Sequence, residues 1–493
     1  MSQSARQRSI HNPPPSGQPP TLRWAECEVQ ASADELIAFH HLFRSVFQRR
    51  EQREWSELYL AGQLSNLERK TLEAIVTAFC RPDPNAMRGL QRFISQETWP
   101  AEALIRFLQE RVAEWLGDPD GVVIVDGSGF PKQGPHSVGV ARQYCGAVGK
   151  VTNCQEGVFA VYESRHGYAF LDERLYVHES WFGDELRSRW AECDLPEDLV
   201  FHTEPELALE MLQALVTRDQ LPFRWVAFDA HFGEVPAFLD AVDALGKWYL
   251  SEVPSDTRVW ERTPTVEPPG RGVLGRPRTK PRVSRSAPRP REMQELAAQL
   301  PRAAWSRHLI KEGSKGPLMA DFAFLRVTAI RGGLPGPRVW AIFRRHRGRD
   351  PEFKFYLSNA PATCPRSEFI RLSGLRWPVE TALEEAKGEV GLDQYETRSW
   401  VSWHHQMAHA FMAHLFLVHL CRVFKKKSGA HHCPSPATHR TGFGRRTRPS
   451  SRYSIHHHLS TKAQLRRVPF ASPTPSAKRL IFTWASTDTE VSE

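Results

Sequence analysis

With 493 residues, 41% of them hydrophobic, the chain is long enough for two or three domains and a sizeable core. It has no apolar run of the roughly 18 residues a membrane-spanning helix needs, and its N-terminus lacks the apolar stretch of a secretion signal, so a cytoplasmic protein is expected. The formal charge of +9 is concentrated in residues 255–350, with 21 basic against 8 acidic side chains, and in residues 421–493, with 14 against 3. Two basic blocks on an acidic body suit a polyanion such as DNA.

Residues 1–30 open polar and Pro-rich and are expected to lack fixed structure. Residues 31–117 read as an all-α domain, because apolar positions recur at helical spacing in 33–47, 66–79 and 101–116. At Gly121 the texture changes to short β-branched runs. GVVIVDGSGF predicts a buried strand that runs into a turn at Asp126-Gly127. Strands are expected next within 137–149 and 155–163, then a helix at 204–218, a strand ending at Asp229, a helix near 234–244 and a strand at 247–253. This mixture over 118–254 predicts an α/β domain.

Residues 255–360 form a basic stretch with strand-like runs at 305–310, 319–330, 337–345 and 353–358. Within it, 271–291 carries eight basic residues and no acidic one. A loop or arm is expected there, with Arg276, Arg278, Lys280, Arg282 and Arg285 as candidates for phosphate contact. Helical texture returns over 361–425. Residues 426–493 are a basic, Ser-, Pro- and His-rich tail without periodicity. The eight cysteines include no CxxC pair, which suits reduced thiols rather than a disulfide framework or a zinc finger. The histidines of 404–420 lie on a strongly apolar helical stretch and are expected to pack rather than to ligate.

Three acidic residues stand out. Asp126 and Asp229 each close an apolar strand, and carboxylates at strand ends face the crevice where open α/β sheets bind ligands. Glu380 follows Pro378 at a helix start. Such carboxylates repel one another unless a hard divalent cation neutralises them, and Mg²⁺ suits oxygen donors. Glu384, Glu385 and Glu389 are rivals on the same helix. Arg376 precedes Glu380 by four residues and Lys387 follows it by seven, about two turns, so Glu380 and Lys387 share a face.

Arg376, Glu380 and Lys387 resemble the Tyr-x2-Arg-x3-Glu-x6-Lys signature of bacterial insertion-sequence transposases of the DDE type, with Ser373 at the Tyr position. VDGSGFPKQGPHSVGVARQYCGAVGKVTNCQ and WVAFDAHFG are similar to the first- and second-Asp regions of one branch of that group. The resemblance implies an RNase H-like catalytic core with a mostly β insertion. It also implies a metal site of Asp126, Asp229 and Glu380 holding two Mg²⁺ ions, for which Mn²⁺ can substitute, and DNA contacts from Arg376 and Lys387. The expected activity is cut-and-paste transposition by a homodimer, on double-stranded DNA at transposon ends and target, in the bacterial nucleoid. The alternative is a decayed, inactive DNA-binding derivative. In related enzymes an insertion-domain aromatic stacks on a flipped base; for Trp305 and Trp340 a core position is the stronger expectation.

Overall fold

The computed structural model describes residues 26–80, 83–96, 98–270, 278–313, 316–346 and 352–427. Five helices come first: α1 (Glu26–Leu42), α2 (Arg50–Gln63), α3 (Leu72–Cys80), α4 (Pro84–Ser95) and α5 (Ala101–Leu116). α1 begins inside the stretch expected to lack structure. α2 was not anticipated, because REQREWSELYLAGQ is polar on average and hides its apolar face. Asp83 caps α4, its side chain accepting from the Asn85 N–H at 2.8 Å.

The α/β part follows with β1 (Val122–Pro131), β2 (Ala141–Cys145), β3 (Lys150–Ser164) and β4 (Gly167–Tyr176). Two single-turn helices, α6 (Asp184–Arg187) and α7 (Arg189–Glu192), precede α8 (Glu204–Arg218), β5 (Trp225–Phe228), α9 (Ala230–Gly233), α10 (Pro236–Ala244) and β6 (Trp248–Val253). The basic stretch supplies β7 (Arg258–Trp260), β8 (Val266–Glu267), β9 (Arg282–Val283), β10 (Arg291–Glu292), α11 (Met293–Gln299), β11 (Ser306–Gly313), β12 (Gly316–Arg331), β13 (Leu334–His346) and β14 (Glu352–Ser358). The chain closes with α12 (Arg366–Leu372), α13 (Arg376–Val390) and α14 (Trp400–Lys427).

These strands build one large mixed sheet. β1 runs parallel to β5, and β5 parallel to β6, while β3 pairs antiparallel with β1 and β4 antiparallel with β3. Within the insertion only β8 and β9, among the described strands, stand apart, as a two-stranded hairpin. β14 pairs antiparallel with β6 and carries β13, β12, β7 and β10 outward as a continuation of the same sheet.

Two local expectations needed correction. β1 does not stop at Asp126. It continues to Pro131, because β3 pairs with all of it, from Val122↔Glu163 to Pro131↔Cys154. Only the parallel partner ends there, the last β1–β5 pair being Val125↔Phe228. β4 was missed because buried Asp172 and Glu173 interrupt its alternation; it leaves β3 through a tight turn in which Gly167 has φ +137°.

α14 explains how the helices join the sheet. It is apolar on all sides, as a helix enclosed by protein must be. On one side Phe411 stacks on Phe170 of β4 at 4.4 Å. On the other, His405 stacks on Trp99 at 3.7 Å, and Phe416 meets Phe39 of α1 at 5.1 Å. Its buried histidines are all bonded. His405 reaches the carbonyls of Ile94 and Trp99, His409 reaches Ser56 and Gln63, and His414 reaches Glu385. They are packing residues, and one continuous core runs from α1 through β1 to β13. No described helix is long and apolar enough to cross a membrane.

One half-buried acid, Glu163, makes this core sensitive to pH. Burial pushes the Glu163 carboxyl up to about 7, with Arg371 opposing and Asp118 adding to the rise. A raised folded-state pKa favours the native state when the group is protonated. That stability is complete below the usual carboxylate range and is lost as pH rises through about 7. Glu163→Gln is therefore expected to exceed the parent protein in stability above about pH 8, by on the order of 1–3 kcal/mol. Urea midpoints in acid and in alkali check this; a difference that does not grow with pH refutes it.

Candidate active site

Asp126 and Asp229 are brought side by side by the parallel pairing of β1 and β5. Since Val125 pairs with Phe228, the next residue on each strand is one of the two carboxylates. Each is held by a local backbone N–H. Asp126 Oδ1 accepts from Gly127 at 2.9 Å, and Asp229 Oδ1 accepts from His231 at 3.0 Å, capping α9. Glu380 enters from α13. All three line one cavity of about 210 Å³, together with Glu252, Lys311, Arg344, Lys354 and Ser373.

The rivals of Glu380 lie elsewhere. Glu384 is exposed. Glu385 is buried and accepts from the Tyr168 hydroxyl at 2.8 Å. Ser373 is buried and donates to the Ile370 carbonyl at 2.8 Å. Arg376 opens α13, but its side chain, like all of Arg276, falls outside the described residues.

Lys387 does not line this cavity. Its ammonium donates to Ser128 Oγ at 2.9 Å and to the Gly129 carbonyl at 3.4 Å, and lies 5.0 Å from the centre of the Phe130 ring. Burial lowers its pKa. It thus packs on β1 two residues beyond Asp126, where the extension of that strand puts acceptors within reach.

The cavity's cations come instead from the insertion. Lys354 pairs with Glu252 at 3.2 Å, and Arg344 donates to the Ser373 carbonyl at 3.0 Å. Burial and Arg344 lower the pKa of Lys311, while Glu380 opposes them. Sequence reading missed all three, since single basic residues in strand-like runs carry no signal of where they point.

More acid stands behind the cavity. Glu204, at the first position of α8, lies 3.5 Å from His231 Nε2. Burial raises its pKa, His231 opposes that, and Asp229 adds to it. Burial pushes Glu156 up to about 8, assisted by Glu204 and Asp126 and opposed by Lys387. Carboxylates gathered this closely are costly without cations. Carboxylates on β1, at the end of β5 and on α13 are the donor type a hard divalent ion takes, but among the described residues the three acidic or thiol ligand atoms that converge within 4.8 Å of one another are those of Cys145, Cys154 and Glu156.

The basic arm is described in part. Arg278 and Arg282 both pair with Glu267, at 3.4 and 2.9 Å, across the β8–β9 hairpin. Lys280 and Arg285 are exposed. Trp340 is buried and donates its indole N–H to the Pro361 carbonyl at 3.1 Å, a core position. Trp305 is half-buried, with the Arg345 guanidinium 4.3 Å from its ring centre.

Comparison with known proteins bears on the family of the chain. A probable transposase for insertion sequence element IS701 from Microchaete diplosiphon is 25% identical over 338 residues, covering 68% of this chain and 74% of that protein. The NurA nuclease of Sulfolobus solfataricus aligns at 10% identity with a TM-score of 0.25, over 68% of this chain and 94% of the other, too weak a likeness to carry an argument. The family described as DDE superfamily endonuclease, whose members generally use divalent metal ions, matches residues 42–317, a span that includes Asp126 and Asp229. That span is more than half of the chain, and the chain belongs to the DDE superfamily of endonucleases.

Proposed function

We propose that this protein is a cut-and-paste DNA transposase, with an RNase H-like core whose catalytic and metal-binding residues are Asp126, Asp229 and Glu380. The observation that carries the reading is the convergence of these three carboxylates in one cavity walled by Lys311, Arg344 and Lys354. The strand order β4–β3–β1–β5–β6, with β1, β5 and β6 parallel, supports the RNase H-like core. Similarity to an insertion-sequence transposase supports the substrate, double-stranded DNA at transposon ends and target.

The three carboxylates would hold two Mg²⁺ ions, for which Mn²⁺ can substitute. Bound ions of this kind activate a water or hydroxyl and stabilise the leaving oxygen at a phosphodiester. The chain's own residues then do the positioning. The backbone N–H groups of Gly127 and His231 fix the two aspartates. Lys311, Arg344 and Lys354 offer positive charge to phosphate oxygens where the low dielectric of a cavity strengthens it. Ser128 and Gly129 hold Lys387 beside β1, where it stiffens the strand that carries Asp126. The protein would act on nucleoid DNA in the cytoplasm, as a homodimer on paired ends, with the helices of 31–117 contributing to recognition of those ends.

The test is cleavage of DNA carrying the element's own ends, with and without Mg²⁺ or Mn²⁺. Ion-dependent nicking and joining is expected. Tight binding without cleavage in either ion would instead mark a DNA-binding derivative that has lost activity. The arm makes a separate contribution. Neutralising Arg278, Lys280, Arg282 and Arg285 is expected to weaken binding alike for all sequences and to flatten the salt dependence by up to ~0.9 log units per lost contact. An unchanged salt slope would return the arm to the status of a linker.

A further inference from the structure

A second constellation lies beside β1, and none of its residues lines the cavity. Cys145, Cys154 and Glu156 each turn one ligand atom to a common point, and these atoms all lie within 4.8 Å of one another. The register makes that convergence unexpected. Cys154 pairs with Ala141 and Cys145 with Lys150, so the two cysteines stand four ladder positions apart. On a flat hairpin that offset is about 13 Å. The β2–β3 hairpin must therefore curl back over the end of β1, with both thiols inside the curve and Tyr144 and Val151 outside it, 63% and 55% exposed.

Gly129 makes room for the closure. A Cβ there would overlap Cys145 Sγ and lie 2.6 Å from Glu156 Oε2. The polar inventory around the two thiols is incomplete among the described residues. Both cysteines are free and fully buried, and Glu156 Oε2 is buried with no hydrogen-bond partner among the described residues. An orphaned carboxylate oxygen beside two thiols is a cost that a bound cation removes.

We propose that Cys145, Cys154 and Glu156 bind a thiophilic divalent ion, zinc above all, at a site separate from the Asp126–Asp229–Glu380 cavity. Thiolates select zinc over magnesium. Zn–S bonds of about 2.3 Å and Zn–O bonds of about 2.0–2.2 Å are compatible with ligand atoms this close together, and a water completes a tetrahedron. Binding displaces to solvent the two thiol protons and the carboxyl proton that burial holds on Glu156. An ion of charge +2 with three anionic ligands leaves a net −1, which Lys387 is placed to offset, since its ammonium interacts with both Cys145 and Glu156. The ion would staple β2 to β3 where Glu156 pairs with Gly129, three residues beyond Asp126 on β1. The spacing of the two cysteines, with eight residues between them, matches no zinc motif, so only the curl of the hairpin reveals the site.

The test uses the full-length, fully reduced protein and does not depend on whether it cuts DNA. Zinc content after dialysis is expected to be one equivalent, and Co²⁺ in its place is expected to show thiolate-to-cobalt charge transfer. Cys145→Ser and Cys154→Ser are each expected to lose the ion and that band. Glu156→Gln, nearly isosteric with the parent side chain, is expected to keep the band but shift the cobalt ligand-field spectrum and weaken binding. Asp126→Asn is expected to retain the ion. Near-UV circular dichroism matching the parent shows that each variant is folded. Absence of zinc and cobalt binding by the reduced protein would overturn the proposal, as would retention of the ion in both cysteine variants or loss of it in Asp126→Asn.

Discussion

Asp126→Asn, Asp229→Asn and Glu380→Gln are each expected to lower DNA cleavage by on the order of 10³-fold or more, while leaving DNA binding nearly intact. The three residues line one cavity, and each substitution keeps the shape of the side chain while removing its charge. In the proposed mechanism that charge balances the metal ions, whose electrostatic stabilisation amounts to several kcal/mol, at ~1.4 kcal/mol per tenfold in rate. Binding rests on basic surfaces, so it survives and even tightens slightly when a negative charge near the phosphates is lost. Glu384→Gln is the control: Glu384 is exposed and outside the cavity, and is expected to keep most of the activity. Cleavage by a Glu380→Gln protein at the parent rate, with loss in Glu384→Gln, would reverse the assignment. Lys311→Ala is informative in a different way, because Lys311 lines the cavity from the insertion; a drop in its cleavage rate would give β11 a part in the chemistry.

The second large effect concerns α14. Deletion of residues 26–117 is expected to leave a protein that aggregates or lacks fixed tertiary packing. His405, His409 and Phe416 are buried against Trp99, against Ser56 and Gln63 of α2, and against Phe39 of α1. Without that cover a long apolar helix faces water on one side. A single substitution separates this from mere loss of length. Trp99 is 3% exposed, stacks on both Phe93 and His405, and donates its indole N–H to the Phe93 carbonyl at 2.9 Å. Trp99→Ala is expected to cost roughly 3–5 kcal/mol, read as a lowered urea midpoint. A soluble 118–493 fragment with the near-UV circular dichroism of an intact core would refute the dependence. For the same reason, the part these helices play in recognising DNA ends is better tested by substitutions at exposed positions, such as Arg88 and Arg92, than by truncation.

Local sequence determined a good deal of this protein. The period of the apolar residues was enough to place α8 at Glu204–Arg218, as well as β5, β6 and the four long strands of the insertion, because burial on one face leaves its spacing in the chain. The neighbourhoods of Asp126, Asp229 and Glu380 were legible too, since each sits where an apolar run meets a turn or a helix start. What sequence alone did not determine were the partners. β1 runs past Asp126-Gly127 because β3 is long enough to pair with it, and a hydrogen-bonded ladder outweighs the turn preference of one dipeptide. Lys387 shares a helical face with Glu380, yet its ammonium is drawn to Ser128 and Gly129 on that extended strand. Lys311, Arg344 and Lys354 reach the cavity only because β14 pairs with β6 and brings the insertion into the core sheet. Cys145 and Cys154 approach each other only through the curl of their hairpin. Periodicity records which side of a segment is buried; register, curvature and the aim of a long charged side chain are set by contacts between residues distant in sequence, and these form only when the whole sheet closes around α14.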